Sequence, residues 1–352
     1  MISFRKLKIS NHLLKNRYVV SPMCQYSANK GNPSDWHYFH LAKLAMSGAS
    51  TLMLESTAVN EEGKISLKDL TLKNNVNEKN LKKLVIFLKK ISDIKIGIQI
   101  SHSGRKGSSY VPWIKSNTPL NKGKWKTYAP SAIRRDKNWP IPTELNLSQI
   151  KKIKNDFLLA AKRANKIGFD CLEIHMAHGY LLHQFFSKIS NKRNDKYGGN
   201  LEKRVKLLTE ISEAVRKVWP KKKILGARIT GSDRLKKGND VNDAIYLTKK
   251  LKKIGFNYVC ISSGGIIPKT NLQIKNGFNV DLAKKIKKKT KILVRTSGKI
   301  DNINFANKLI KNKYVDLICI GRKFISSPNF LLKRMSKTTK SKLVPDQYKR
   351  CI

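Results

Sequence analysis

The sequence predicts a TIM-type (β/α)8 barrel, an α/β fold in a single domain with a long loop after its third strand. Three observations carry this prediction. Eight short apolar runs rich in β-branched residues alternate with longer segments of helical period. The runs are continuously apolar, as strands covered on both faces must be. Polar residues that are out of place in a core collect just after the runs, on the rim where such barrels carry their sites. A doubly wound sheet is the alternative, but it usually brings a Gly-x-Gly-x-x-Gly turn after its first strand, and none stands there.

The predicted strands run over 18–21, 51–55, 96–101, 171–175, 224–229, 258–262, 292–296 and 316–320. Helical periodicity is found near 37–47, 78–92, 148–167, 201–218, 241–254, 279–289, 302–312 and 327–336. Several helix ends carry readable caps. Ser148 precedes Gln149 and Asn200 precedes Leu201, each able to accept an orphan N–H of the first turn. Gly168 and Gly255 stand just past the last periodic residue, where a left-handed backbone ends a helix. One connection stands apart: residues 102–147, rich in Gly, Pro, Trp and Asn, separate the third strand from the next long helix. A stretch of that length in a compact domain is usually a lid or a binding loop. The chain, 1–352, therefore reads as one domain without internal repeats.

Charge narrows the function classes. The 352 residues hold 73 Lys+Arg against 23 Asp+Glu, a formal net charge of +50. Only 15 of the basic residues are arginine, and the lysines sit in short runs such as Lys249-Lys250-Leu251-Lys252-Lys253, with apolar residues recurring at helical intervals. That pattern puts them on solvated outer faces. Reading of phosphates and bases favours arginine interleaved with aromatics, so no nucleic-acid partner is expected. No run approaches the ~20 apolar residues of a membrane-spanning helix. The basic N-terminus also lacks the apolar core of a secretory signal. The expectation is a cytoplasmic protein with no membrane partner. The five cysteines, Cys24, Cys171, Cys260, Cys319 and Cys351, are scattered, which argues against a disulfide framework or a metal cluster. Four read as isolated thiols in apolar surroundings; Cys24 is set apart by its position.

That position is a strand end, and every predicted strand has chemistry at or near its C-terminal end. Ser21, Pro22, Met23, Cys24 and Tyr26 follow the first, and Glu55 and Ser56 the second. Gln99 lies in the third, while His175, His178 and Tyr180 end the fourth and Arg228 the fifth. Ser262-Ser263-Gly264-Gly265, Ser297-Gly298 and Gly321-Arg322 close the last three. Glycine N–H groups and a guanidinium after the seventh and eighth strands suit a phosphate. Gln99 and Arg228 offer an amide and a permanent cation to a planar heterocycle. The combination suggests FMN rather than a dinucleotide.

These residues fall in segments that resemble the old yellow enzyme flavoproteins. The nearer resemblance is to the bacterial NADPH dehydrogenases and xenobiotic reductases that carry a cysteine near the flavin. The matching pieces include Ser21-Pro22-Met23-Cys24-Gln25-Tyr26, His102-Ser103-Gly104-Arg105-Lys106 and Ala129-Pro130-Ser131-Ala132-Ile133. They continue with His175-Met176-Ala177-His178-Gly179-Tyr180 and Arg193-Asn194-Asp195-Lys196-Tyr197-Gly198-Gly199, and the similarity spans essentially the whole chain in order.

The resemblance implies an FMN-dependent NADPH dehydrogenase, with NADPH or NADH as donor. Its small-molecule substrates would be activated alkenes, α,β-unsaturated carbonyl or nitro compounds, reduced in a ping-pong cycle. His175 and His178 would hydrogen-bond the substrate oxygen, Tyr180 would protonate the α-carbon, and Tyr26 would line the pocket. Ser21, Pro22, Met23 and Ser56 would contact the flavin largely through backbone. Gln99 and Arg228 would meet its ring, and Gly298, Gly321 and Arg322 its phosphate. Cys24 would tune the flavin rather than act as a nucleophile. Arg193, Asp195 and Tyr197 read as a structural loop beside the site. In this subclass a C-terminal tail reaches a neighbouring subunit's site. That would make Arg350, within 337–352, a substrate-binding residue in a homodimer or homotetramer. Tyr110, Trp113 and Trp125 of the 102–147 loop are candidates for shaping the substrate mouth.

Alternatives stand beside this reading. His175, His178 and His183 share a spacing that passes for zinc ligands, but no carboxylate or thiol is placed to complete the set, so no metal is expected. A tRNA-reducing flavin barrel would suit the charge, yet only about thirty residues follow the last predicted strand. A non-catalytic basic barrel would leave the polar rim unexplained.

Overall fold

Strands that bury both faces need helices outside and a filled interior, and a ring of them satisfies both needs. In the computed structural model, which describes residues 1–268, 270, 272–335 and 344–350, eight parallel strands close into a barrel. They are β1 (Tyr18–Val20), β2 (Thr51–Ala58), β3 (Lys95–Ser101), β4 (Cys171–Met176), β5 (Ile224–Thr230), β6 (Tyr258–Ser262), β7 (Leu293–Thr296) and β8 (Leu317–Ile320). Each pairs with the next, and β8 pairs with β1. The long helices are α1 (Asp35–Ala45), α2 (Asn75–Ile91), α3 (Leu147–Ile167), α4 (Leu201–Val218), α5 (Val241–Ile254), α6 (Val280–Thr290) and α7 (Ile303–Lys311), followed by the short α8 (Phe330–Met335). All eight strands stand where the sequence predicts them, shifted by a few residues at their ends. No described helix is long and apolar enough to cross a membrane.

Three local expectations are corrected. The cap of α3 is Asn146, not Ser148: Asn146 Oδ1 accepts the Gln149 N–H at 2.9 Å, and Gln149 Oε1 accepts the Asn146 N–H at 2.9 Å. Ser148 instead donates its hydroxyl to the same Oδ1 at 2.7 Å. The helix expected over 327–336 is divided into Arg322–Ser326 and α8, with Pro328 between them and Ser336 outside the described residues. Proline disfavours helical backbone in the residue before it, and Ser327 is accordingly non-helical (φ −146°, ψ 73°). An N-terminal hairpin, Leu7–Ile9 with His12–Leu14, was not predicted, because strands of three residues are too short to show a period. Its Ile9 and Leu14 join Val19, Met53, Cys171, Ile224 and Leu317 in an apolar cluster that closes the N-terminal end of the barrel.

The next layer up is polar. Glu173 of β4 accepts hydrogen bonds from Gln99 of β3 (2.7 Å) and Tyr258 of β6 (2.9 Å), and it ion-pairs with Arg295 of β7. Groups from four strands meeting at one carboxylate identify this face as the barrel interior. Space for them comes from missing side chains: a Cβ at Gly226 would collide with the Tyr258 ring. Cys260 and Cys319, expected as isolated thiols in apolar surroundings, do lie in the apolar cluster below this layer but are not isolated. They hydrogen-bond each other, and Cys319 Sγ lies 2.9 Å from Ser21 Oγ.

The 102–147 loop has structure of its own: a 3-10 turn (Gly104–Lys106), a short helix (Pro112–Lys115) and a paired Tyr128–Ala129 and Thr143–Glu144. Arg105 ties it down by donating to the carbonyls of Ile133 and Ile266, both at 2.9 Å. Arg193 grips Asp195 with two hydrogen bonds and donates to the carbonyls of Pro130 and Leu145, a bracing arrangement.

Candidate active site

Side chains two residues apart on a strand share a face, so the step from Glu173 to His175 rises from the buried network to the rim. His175 stands beside Arg228 in register, and Gln99 beside Glu173. The sharp turn after β4 then brings His178 back over His175. His178 adopts a left-handed backbone (φ 58°), and Gly179 follows (φ 73°) packed so closely on the Gly265 carbonyl that no side chain fits. The His175 and His178 rings meet edge to face at 5.1 Å, and His175 and Tyr180 do so at 4.8 Å.

The hydrogen-bond chain fixes the imidazole tautomers. Burial, then the Arg228 cation, holds both histidines well below their ordinary pKa, so both are neutral and each carries one ring hydrogen. His175 Nδ1 accepts from the Ala177 N–H (3.2 Å), which leaves the hydrogen on Nε2, 3.3 Å from His178 Nδ1. His178 in turn donates from Nε2 to Ser262 Oγ at 2.7 Å. Burial also raises the Tyr180 phenol far above its usual range, so it keeps its proton. His183 is not part of this group: its Nε2 binds Asp233 at 2.7 Å and its Nδ1 accepts from the Gly179 N–H at 2.7 Å, so the three-histidine spacing does not converge.

Tyr26 and Cys24 come from the β1 loop. Tyr26 has a left-handed backbone (φ 48°), and its ring meets Trp113 edge to face at 5.9 Å, which brings the long loop to the site. Trp125 does not join it; its Nε1 donates to the Glu62 carbonyl at 3.3 Å and its ring carries the Lys64 ammonium. The Cys24 thiol hydrogen-bonds the Ser56 backbone and the Tyr26 side chain. Burial and then Glu55 and Asp69 push its pKa well up, so it is a thiol and not a thiolate. A register shift between Leu54 and Ser56 bends β2 beneath it.

Ser21, Pro22, Met23, His178, Arg228, Gly298, Gly321 and Arg322 line one cavity of about 790 Å³. Lys299 and Lys323 add cations beside Arg322, and Gly298 holds a φ of 132° that other residues rarely adopt. Arg228 makes one long bond, to Ser297 Oγ at 3.4 Å, and its Nε is buried without a partner among the described residues. The residues fit FMN: a half-buried guanidinium with no carboxylate partner among the described residues at the ring end, and a basic, glycine-bearing pocket for a phosphate. Gln99 departs from expectation in one respect, since its amide N–H is already donated to Glu173.

The chain matches the NADH:flavin oxidoreductase / NADH oxidase family over residues 3–341. It belongs to that family. The NADPH dehydrogenase of Clostridium acetobutylicum is 38% identical over 331 residues, covering 94% of this chain and 93% of the relative. Among solved structures, 2-naphthoyl-CoA reductase superposes with a TM-score of 0.85 at 24% identity, over 97% of this chain and 53% of that one. The old yellow enzyme homologue from Zymomonas mobilis does so with a TM-score of 0.79 at 22% identity, over 96% and 93%. As a family member, the chain is a flavin oxidoreductase of old yellow enzyme type, an NADPH dehydrogenase that works with FMN and NAD(P)H. The reading of a non-catalytic barrel is thereby set aside.

Sequence reasoning missed two groups that border the site. Lys106 donates to the His178 carbonyl at 2.7 Å and lies 4.7 Å from the Tyr180 ring centroid. Its position directly after Arg105 in a quoted motif was the available signal. Arg135, in the middle of the long loop, gave no signal at all.

Proposed function

We propose that this oxidoreductase is an ene-reductase, moving a hydride from NADPH to the β-carbon of an activated alkene and a proton to its α-carbon. FMN held by these residues would supply the redox chemistry, so that donor and acceptor would use one pocket in turn. In net terms R–CH=CH–C(=O)R′ with NADPH and H⁺ becomes R–CH2–CH2–C(=O)R′ with NADP⁺. One observation carries the reading: His175, His178 and Tyr180 converge at a single strand end as two neutral imidazoles and a protonated phenol.

A substrate oxygen that replaces His178 Nδ1 takes the Nε2–H of His175, and that bond strengthens as the oxygen becomes enolate-like. The Tyr180 phenol keeps its proton until negative charge develops on the substrate, then transfers it to the α-carbon. Tyr26 lines the opening. Cys24, which keeps its proton, adjusts the flavin's electronics and does not attack. Ser21, Pro22, Met23, Ser56 and Arg228 hold the ring, with Gln99 offering it only the amide groups that Glu173 leaves free, and Gly298, Gly321 and Arg322 hold the phosphate. Arg350 would complete a neighbouring subunit's pocket in a homodimer or homotetramer. In support, Tyr348 packs on the core and Arg350 just beyond it is exposed; the rest of the tail, 336–343 and 351–352, lies outside the described residues.

The purified protein should be yellow, bleach with NADPH under anaerobic conditions, and regain its colour with cyclohexenone. Tyr180→Phe should slow the return of colour about a hundredfold or more while bleaching by NADPH continues. Equal loss of both phases would remove Tyr180 from the role of acid.

A further inference from the structure

Three cations gather near Tyr180, and none has an acid among its hydrogen-bond partners in the described residues. Arg105 donates to the carbonyls of Ile133, Arg134 and Ile266. Lys106 donates to the His178 carbonyl and covers the Tyr180 ring. Arg135 is only 6% exposed. It stacks its guanidinium on Trp139 at 4.7 Å and donates once, from Nη2 to Asn117 Oδ1 at 3.1 Å. Its Nε and Nη1 are buried and unpartnered among the described residues. Arg135 is within electrostatic reach of both Lys106 and Tyr180.

The two arginines differ in kind. Arg105 is a brace, with carbonyls on both terminal nitrogens that stitch the long loop to the loop after β6. Both arginines leave a buried Nε unpartnered among the described residues, but Arg135 leaves its terminal Nη1 unpartnered as well. Burial, with Arg135 and Arg105 adding repulsion, brings the Lys106 ammonium down to about 7. Arg135 has Asp136 within electrostatic reach, but Lys106 meets only the like charges of Arg135 and Arg105, and buried like charges are costly until an anion joins them.

We propose that Arg135 and Lys106 form an anion subsite beside Tyr180, which holds a carboxylate or phosphate oxygen of a reactant docked in the pocket. This rests on the ene-reductase reading of that pocket. A guanidinium with a free terminal nitrogen, its plane set by Trp139, offers an oxyanion charge-assisted hydrogen bonds. The oxyanion has two available sources, a carboxylate on the alkene or a phosphate on the nicotinamide donor.

Two substrate pairs separate them. 4-Oxopent-2-enoate and its methyl ester differ in one charge; NADPH and NADH differ in one phosphate. With the alkene carboxylate as ligand, Arg135→Gln in the flavin-loaded enzyme should lower the acid-to-ester ratio of kcat/KM roughly ten- to hundredfold. Arg135→Lys, which keeps the charge, should restore most of that ratio. Calorimetric binding of 4-oxopentanoate, the saturated acid, should weaken in parallel and does not depend on turnover. With the donor phosphate as ligand, the preference for NADPH over NADH in dissociation constant falls instead. If Arg135→Gln moves neither ratio, the proposal is overturned; if Arg135→Lys loses as much as Arg135→Gln, Arg135 is a packing residue and the proposal is again overturned. A flavin-loaded wild type that turns over neither acid nor ester would overturn the ene-reductase reading, while the binding measurements still decide the subsite.

Discussion

Arg295 and Arg228 flank Cys260 in register on neighbouring strands, yet they live in opposite states. Arg295 is 2% exposed, ion-paired to Glu173 and stacked over the Tyr258 ring at 4.7 Å. Arg228 is only half-buried and borders the 790 Å³ cavity, with one long bond to Ser297 Oγ at 3.4 Å and no acidic partner among the described residues. A buried cation whose counter-charge is built into the chain is architecture. One that lacks it waits for a ligand. A related distinction separates Arg105, whose terminal nitrogens are taken up by backbone carbonyls, from Arg135, whose Nη1 has no partner among the described residues.

The largest effect expected from this contrast is on Glu173. Glu173→Ala leaves the Arg295 guanidinium buried without its carboxylate and should cost about 3–5 kcal/mol in stability, measured by urea unfolding. A loss below about 1 kcal/mol would mean that the pair is not structural and that the two arginines are alike. Next comes Arg228→Met, expected to weaken FMN binding roughly ten- to hundredfold, read from flavin fluorescence quenching. Apoprotein stability should move by less than about 1 kcal/mol, because the charge removed had no partner to lose. A large destabilisation with unchanged flavin affinity would reverse the assignment.

The smallest step comes from a group that answers burial by staying neutral. Burial brings His102 down to about 3, against about 6.5 for an exposed histidine. Below pH 6.5 the unfolded chain takes up a proton that the folded chain refuses. Stability from this group is therefore complete above that pH and falls by about 1.4 kcal/mol per unit down towards pH 3. Between pH 7 and pH 5 the unfolding free energy should fall further for the wild type than for His102→Asn; an equal fall would show that His102 takes up its proton in the folded state.

Much of the rim could be read directly. Each strand carried its own evidence in a run of apolar, β-branched residues. Asn200, Gly168 and Gly255 mark helix ends through local hydrogen bonding and backbone freedom alone. The choice of Asn146 over Ser148 was legible too, since Asn146 stands three before Gln149, the spacing of a capping box. The N-terminal hairpin escaped notice because its strands draw their stability from a cluster with six strands of the barrel, not from their own pattern.

What the chain determined by itself was periodicity, and from periodicity came eight βα units and the polar residues at their ends. Which of those residues meet was decided only by ring closure. Gln99, offered by sequence to a ligand, is drawn to Glu173 of the neighbouring strand, and Arg295, silent in the sequence, completes that network from across the ring. Arg135 came to lie near Tyr180 through the path of the long loop, braced by Arg105 and Arg193. The physical reason is range. Caps, turns and alternation are settled within a few residues, whereas the pairing of a buried charge depends on which distant strand supplies its partner.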